Sequence, residues 1–415
     1  MNIAFISIEF PPRIFGGLGT YVTSISSKFS EMGHKVCVFT PNDNNKLKTQ
    51  EKVDNIEVYR PLDISYLDTF RHFSSNEINC QWGEEGISFL CDLLGYNHIS
   101  AYLLTDLIGR EHVDVCVAHD WLGLPAALAA KRTTGIPIIY HVHSTEVGRS
   151  LGCANSQVVS YELLGTELAD IVITVSNAMK EELISIGAKP EKIHVCYNGI
   201  DAEKFDPARI DNRMVSTLKK EYNISSDDKV ILFLGRLEEV KGADKLVQAM
   251  PAILRQNPKA KLVIVGSGTY EGLIRDHIAH YDLEDSVFLN TEFLDDISKM
   301  HHYFMADVCV FPSLYEPFGI VALEAMAMEK PLVVGAKGIS GLREIVITSP
   351  SEKPTGMHVD PYDPEDIAWG VNTLLNDLDM AKEWGKNGRQ RVLDTFTWDI
   401  IAANTLDIYG EVIDV

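Results

Sequence analysis

The sequence predicts an α/β protein built from two doubly wound halves that face one shared cleft. Three observations carry this reading. Short β-branched runs alternate with longer helical patterns, the series restarts once near mid-chain, and each half opens with a strand running into a glycine-bearing loop. Strands separated by helices imply βαβ units and a parallel sheet, because parallel neighbours cannot be joined by a tight turn.

Taken in order, the first series is NIAFISIE (2 to 9), KVCVFT (35 to 40), VDVCVAH (113 to 119), IPIIYHVH (136 to 143), DIVITVS (170 to 176) and IHVCYN (193 to 198). The second is KVILFLG (229 to 235), KLVIVG (261 to 266), VFLN (287 to 290), DVCVFPS (307 to 313) and KPLVVG (330 to 335). Between them NGIDAEKFDPARIDNR (198 to 213) is rich in Asp, Asn, Gly and Pro, which suits a connection rather than a core element. We therefore expect one unit over 1–205 and a second over 206–397. The last stretch, from about Trp398 to Val415, reads as a closing helix that packs back on the first unit. Gly16, Gly17 and Gly19 punctuate the opening loop of the first half, Gly235 and Gly242 that of the second. Ligands of open α/β sheets sit beyond the carboxyl ends of the strands, so two such halves facing each other share one site.

Composition removes several function classes. Lys+Arg 37 against Asp+Glu 59 gives a net charge of −22, a field that repels a nucleic-acid backbone. A chain of 415 residues, 46% hydrophobic and 23% charged, is long enough for filled cores and too apolar for wholesale disorder. The seven cysteines (37, 80, 91, 116, 153, 196 and 309) are scattered and never spaced as CxxC, so neither a disulfide frame nor a zinc knuckle is expected. MNIAFISIEFPP lacks a basic segment and a cleavage site, and no later apolar run reaches spanning length; we expect a reduced, cytoplasmic, soluble protein without a transmembrane segment, with peripheral lipid contact left open. A Walker A loop is missing, as is a GxGxxG followed by an acidic residue.

Chemistry concentrates in three segments. In PSLYEPFGIVALEAMAM (312 to 328) a loop carrying Glu316 runs into a helix expected to begin near Phe318. Unpaired N–H groups around Gly319, Ile320 and Val321 would form a positive helix end suited to phosphate. Glu324 lies about a turn further in, amid Ala, Leu and Met, and a buried carboxylate needs a partner, either a lysine or a ligand such as a sugar diol. In GRLEEVKG (235 to 242), after a strand, Arg236 and Lys241 would meet a diphosphate as planar fork and compact charge. At the end of IPIIYHVH, His141 and His143 share one strand face. They could be core histidines, or with His119 and Asp120 the ligands of a hydrolytic metal centre.

The Glu-x7-Glu spacing of Glu316 and Glu324, set in PFGIVALEAM, resembles the signature of retaining GT-B glycosyltransferases, family 4 in particular. FPPRIFGGLG (10 to 19) and AHDW (118 to 121) are similar to segments of bacterial and archaeal glycogen synthases. VSNAMKEEL, the Tyr-Asn-Gly-Ile-Asp stretch and GRLEEVKG also have counterparts in order along nearly the whole chain. The resemblance implies the GT-B fold and transfer of a sugar, glucose in glycogen synthases, from a nucleoside diphosphate sugar to a glycan with retained configuration. It places Glu316 and His143 beside the donor sugar, Glu324 on the ribose, and Arg236, Lys241 and the helix end at Phe318, Gly319, Ile320 and Val321 on the diphosphate. Gly16 and Gly17 would let backbone approach the diphosphate or acceptor. Gly266, in GSGTYEG (266 to 272), would lie beside the nucleotide, and Phe293 and Leu294, in TEFLDD (291 to 296), would read the base by backbone, which leaves ADP, UDP and GDP donors open. No metal or organic cofactor is implied.

HSTEVGRS (143 to 150) is also similar to the HSLGR-type segment of sucrose-phosphate synthases, so a sucrose- or trehalose-type small acceptor stays open beside a glycan. A lipid-linked acceptor usually goes with a basic apron, against which the acidic balance argues. Outside this class stand an inert sugar-nucleotide-binding regulator and the metal-dependent hydrolase. Retention of Arg236, Lys241, Glu316 and Glu324 together speaks for an active enzyme.

Overall fold

The computed structural model describes residues 1–73 and 76–413, with backbone alone at 73 and over 76–81. The side chain of Cys80 and the expected helix end at 414–415 lie outside the described residues. The first sheet holds β1 (Asn2–Ile6), β2 (Lys35–Phe39), β3 (Gln50–Val53), β4 (Ile56–Tyr59), β5 (Val115–His119), β6 (Ile138–Val142), β7 (Ile171–Thr174) and β8 (Ile193–Val195). The second holds β9 (Lys229–Leu234), β10 (Ala260–Val265), β11 (Val287–Asn290), β12 (Val308–Phe311), β13 (Leu332–Gly335) and β14 (Gly356–Val359). Runs such as VCVAH and IIYHV are buried at every position, as strands covered by helices on both faces must be.

All eleven expected strands are present, shorter by a residue or more in most cases. The sequence reading missed β3, β4 and β14. QEKV alternates charged and half-buried positions, and IEVY and GMHV are four residues each, so no hydrophobic run announces them. Among the described strands the β3–β4 hairpin is the one antiparallel pairing. It carries Arg60, 1% exposed, whose guanidinium pairs with Glu51 and donates to the Pro11 carbonyl at 2.6 Å. The hairpin thus braces the loop that follows β1.

The strand orders are β3-β4-β2-β1-β5-β6-β7-β8 and β11-β10-β9-β12-β13-β14. Each reverses direction once, between β1 and β5 in the first sheet and between β9 and β12 in the second. Such switch points open a crevice at the carboxyl ends, where the chain leaves neighbouring strands in opposite directions.

The chain crosses between the halves twice, side by side. Ile200 N–H donates to the Phe396 carbonyl at 2.8 Å, and Gly199 lies so near Trp398 that a Cβ would come within 2.7 Å of its ring. The helix Trp398–Ile413 then returns to the first half, packing on the helix Gly17–Glu31. Trp398, Ile401, Ala402, Leu406 and Tyr409 join the apolar core of Ile3, Phe5, Tyr21 and Phe29. Burial on the order of 1.5–3 kcal/mol for each large side chain holds the helix Trp398–Ile413 on the first half. Among the described residues, six cysteines are free and only Cys153 is exposed. No described helix is long and apolar enough to cross a membrane.

Candidate active site

The second half places its charged groups at the switch point. The loops after β9 and β12 are stitched together: Leu314 N–H donates to the Val240 carbonyl at 2.8 Å. Gly242, at φ +67°, sits so close that a Cβ would meet the Pro312 oxygen at 2.1 Å. The stitching brings Lys241 Nζ to 2.6 Å from Glu316 Oε2, which Ser313 Oγ also approaches at 3.3 Å. Glu316 is 7% exposed, and a carboxylate so buried would be costly without its counter-charge. Arg236, on the same loop, is exposed and has no partner among the described residues, leaving its five N–H donors for a ligand.

Gly319, at φ +112°, caps the helix Ile320–Ala327, which therefore begins two residues later than Phe318. The Phe318 ring is anchored against Tyr197 and Phe396, so its side chain belongs to the core while its backbone stays in the loop. Ile320 and Val321 are half-buried at the helix start. Gly266, at φ +148°, faces the Gly235 carbonyl so tightly that a Cβ would stand 1.8 Å away. Phe293 is 95% exposed and Leu294 half-buried, packed against the core.

Glu324 has the partner that its surroundings demand. Tyr303 O–H donates to its Oε2 at 2.7 Å, and Lys299 Nζ stands 3.6 Å from Oε1. Burial pushes the carboxyl above the usual carboxylate range; Lys299 and Tyr303 pull it back. Both partners escaped the sequence reading, although they lie one turn apart on the helix Asp296–Met305 and so share a face.

The first half is organised differently. Glu9, which sequence reasoning passed over, is 9% exposed and accepts from the N–H groups of Phe15 at 2.9 Å, Gly16 at 3.1 Å and Gly19 at 3.2 Å. A Cβ on Gly19 would lie 2.7 Å from that carboxylate oxygen. The glycine loop is thus held by its own carboxylate: the Gly16 N–H is spent, whereas those of Gly17 and Leu18 find no acceptor among the described residues. Gly17 faces the second half, with a Cβ position 3.5 Å from Ile320 Cδ1. The two helix starts therefore meet across the cleft.

His119 ends β5, His141 lies in β6, and His143 follows one residue beyond it. His143 Nε2 is 3.0 Å from His119 Nδ1, and the rings of His141 and His143 stack at 4.4 Å and 13°. Burial lowers all three, His143 to about 3, so the cluster is neutral at ordinary pH. Asp120, at φ +55°, turns its carboxylate onto the N–H groups of His143 at 2.7 Å and Ser144 at 3.3 Å rather than toward the imidazoles. One ring nitrogen from each histidine lies within 4.8 Å of the others. Parallel stacked rings send their lone pairs along parallel planes, however, which a single ion cannot collect without ring rotation. Phe5 at 4.9 Å from His119 and Tyr21 at 4.7 Å from His141 close the cluster against the water that a hydrolase would activate.

Known proteins resemble the chain along its whole length. Residues 15–204 match the model described as Glycosyltransferase Family 4, and residues 215–391 that described as Glycosyl transferases group 1. An uncharacterized glycosyltransferase of Methanocaldococcus jannaschii, MJ1607, is 34% identical over 416 residues, covering 99% of this chain and 98% of that protein. This chain is a family 4 glycosyltransferase of group 1. The glycogen synthase of Mycobacterium tuberculosis is 30% identical over 423 residues, 99% of this chain and 94% of its own. Among solved structures, a sucrose-phosphate synthase from Thermosynechococcus elongatus superposes with a TM-score of 0.79 at 24% identity, covering 100% and 99% of the two chains. The two parallel α/β sheets are those of the GT-B fold.

Membership makes the protein a nucleoside diphosphate sugar-dependent enzyme of the hexosyltransferase class. In this glycosyltransferase Arg236, Lys241 and Glu316 lie on the loops that follow β9 and β12, the two strands at the switch point, and Glu324 lies on the helix that comes next. The first half carries the neutral His143, the N–H groups of Gly17 and Leu18, and Arg149, which pairs with Glu146 at 3.3 Å and Glu162 at 3.7 Å.

Proposed function

We propose that this glycosyltransferase moves glucose from a nucleoside diphosphate glucose to an α-glucan acceptor with retained configuration, as a glycogen synthase does. The observation that carries the reading is the Lys241–Glu316 pair at the switch point, with Arg236 unpartnered on the same loop and neutral His143 on the opposing half. Full-length identity of 30% to a glycogen synthase supports the glycan acceptor.

The groups divide the work by chemistry. Arg236, Lys241 and the N–H groups at Gly319, Ile320 and Val321 stabilise charge that grows on the departing diphosphate. Glu316 and His143 hold hydroxyls of the donor sugar, and Glu324 the ribose. As the bond from the anomeric carbon to the phosphate oxygen breaks, the acceptor oxygen bonds to that carbon from the same face, and its proton passes to the leaving phosphate. Glu316, engaged by Lys241 and Ser313, is a holder in this scheme rather than a nucleophile. No divalent cation takes part. The buried free cysteines support a reducing, cytoplasmic setting.

A donor-by-acceptor screen tests the reading, with ADP-, UDP- and GDP-glucose each offered to maltooligosaccharides and to phosphorylated monosaccharides, and released diphosphate measured. We expect turnover with the oligosaccharides. Turnover confined to monosaccharide phosphates would reassign the acceptor, and none with any pair would remove the proposal.

A further inference from the structure

We infer that Tyr315 is a positioning residue that sets the register of the two halves by tying the loop of His143 to the loop of Glu316. The inference rests on the functional reading above, because it concerns how those two residues come to face one donor sugar. Tyr315 immediately precedes Glu316 in the second half, and 170 positions separate it from its hydrogen-bond partner Thr145 in the first half. Thr145 lies two residues after His143.

The contact is built rather than incidental. Tyr315 is 4% exposed, Thr145 is fully buried and Glu182 is 4% exposed. The phenol oxygen accepts from the Thr145 N–H at 3.1 Å, lies 3.3 Å from Thr145 Oγ1 and donates toward Glu182 Oε2 at 3.5 Å. Thr145 Oγ1 donates to the same Glu182 oxygen at 2.8 Å and accepts from the Gly148 N–H at 3.1 Å. The ring passes over Gly148 so closely that a Cβ there would stand 1.9 Å from Tyr315 Cε2. Only glycine at 148 admits the tyrosine.

The hydroxyl serves two purposes at once. It gives a buried carboxylate and a buried N–H of the first half a partner in the closed arrangement, where water does not reach them. It also transmits the closed position to the reacting groups, since backbone links of one and two residues join it to Glu316 and His143. A second contact between the halves works elsewhere: Glu344 accepts from the N–H groups of Asn177 at 2.9 Å and Ala178 at 2.8 Å, and from Tyr197 O–H at 3.0 Å. Glu344 lies near the crossing at 198–200 and touches neither loop, so it joins the halves without registering the site.

The test is Tyr315→Phe, which keeps the ring and removes the hydroxyl. We expect kcat to fall about 10- to 100-fold, the scale of misplacing reacting groups by a fraction of an ångström, with nucleoside diphosphate affinity unchanged because the nucleotide-contacting residues lie on the second half. Gly148→Ala should reproduce the loss from the first half by displacing the ring. Gly148→Ala combined with Tyr315→Phe should cost little more than the larger single change, since both take the same hydroxyl off Thr145 and Glu182. Wild-type kcat in Tyr315→Phe, an equal loss of diphosphate affinity, or additive losses would overturn the inference. If the wild-type enzyme turns over no donor, the functional reading fails instead, and small-angle scattering then decides the tie separately. With ADP, UDP or GDP present, Tyr315→Phe and Gly148→Ala should expand relative to wild type. Equal dimensions would discard it.

Discussion

The two halves of this glycosyltransferase treat the ionisable groups at their strand ends differently. On the second half the two carboxylates of the candidate site are paired: Glu316 with Lys241, and Glu324 with Lys299 and Tyr303. On the first half, His119, His141 and His143 are kept neutral by burial, and Glu9 is spent on backbone N–H groups. The difference teaches where each substrate's demands fall. A diphosphate needs charge that is already desolvated and aimed, whereas sugar hydroxyls can be held by a paired carboxylate such as Glu316 and by a neutral imidazole such as His143 alike. The pairing on the second half also keeps its charges affordable before substrate arrives, because an isolated buried ion costs several kcal/mol.

The largest expected effect falls on the charged side. Lys241→Ala should lower kcat by about 10²- to 10³-fold, the loss seen when one preorganised stabiliser of developing charge is removed. Steady-state kinetics with the best donor measures it, and kcat should suffer more than donor KM. An unchanged kcat would dissolve the contrast between the halves.

Next comes Glu324→Ala, which should weaken nucleoside diphosphate binding by roughly 1.5–3 kcal/mol, the scale of hydrogen bonds to charged groups. Calorimetry with the diphosphate alone reads this without an acceptor. Equal affinity would mean that Glu324 serves only Lys299 and Tyr303.

The neutral side makes a prediction in pH. The native His141 holds its proton less readily than the unfolded chain does, since burial and its histidine neighbours lower it. Below about pH 6.5, the ordinary value for histidine, the unfolded state binds a proton that the native state refuses, so stability falls with acid by up to about 1.4 kcal/mol per pH unit from this group. Urea titrations at pH 7 and pH 5 should therefore show a larger drop for wild type than for His141→Leu. Parallel drops would mean that His141 is charged in the folded protein.

The smallest expected effect is none at all. Exhaustive chelation should leave turnover intact and elemental analysis should find no stoichiometric zinc. Loss of turnover restored by Zn²⁺, abolished alike in His141→Ala and His143→Ala, would convert the neutral cluster into a metal centre.

What the sequence determined by itself is local. Alternating β-branched runs and helical patterns dictate the strands, and all eleven expected from 2–9 through 330–335 are there, because a buried parallel strand needs an unbroken apolar run. Loops bearing Arg236, Lys241 and Glu316 had to follow strands, and strand ends define the crevice. The β3–β4 hairpin was illegible because β3 has no buried position and β4, buried at three of its four residues, is too short for a recognisable apolar run; pairing and Arg60 complete the hairpin. Pairings were illegible for a different reason. Glu9 with the loop N–H groups, Lys299 with Glu324, and Tyr315 with Thr145 each depend on where separate elements pack, and nothing in one segment names its partner in another. The tertiary structure also decided the fate of residues that sequence could only nominate: it turned Phe318 into the core, tied Asp120 to backbone N–H groups, and left Arg236 free. Charge type and spacing are written along the chain; which charge is neutralised, and by what, is settled only when burial makes an unpaired group too costly to keep.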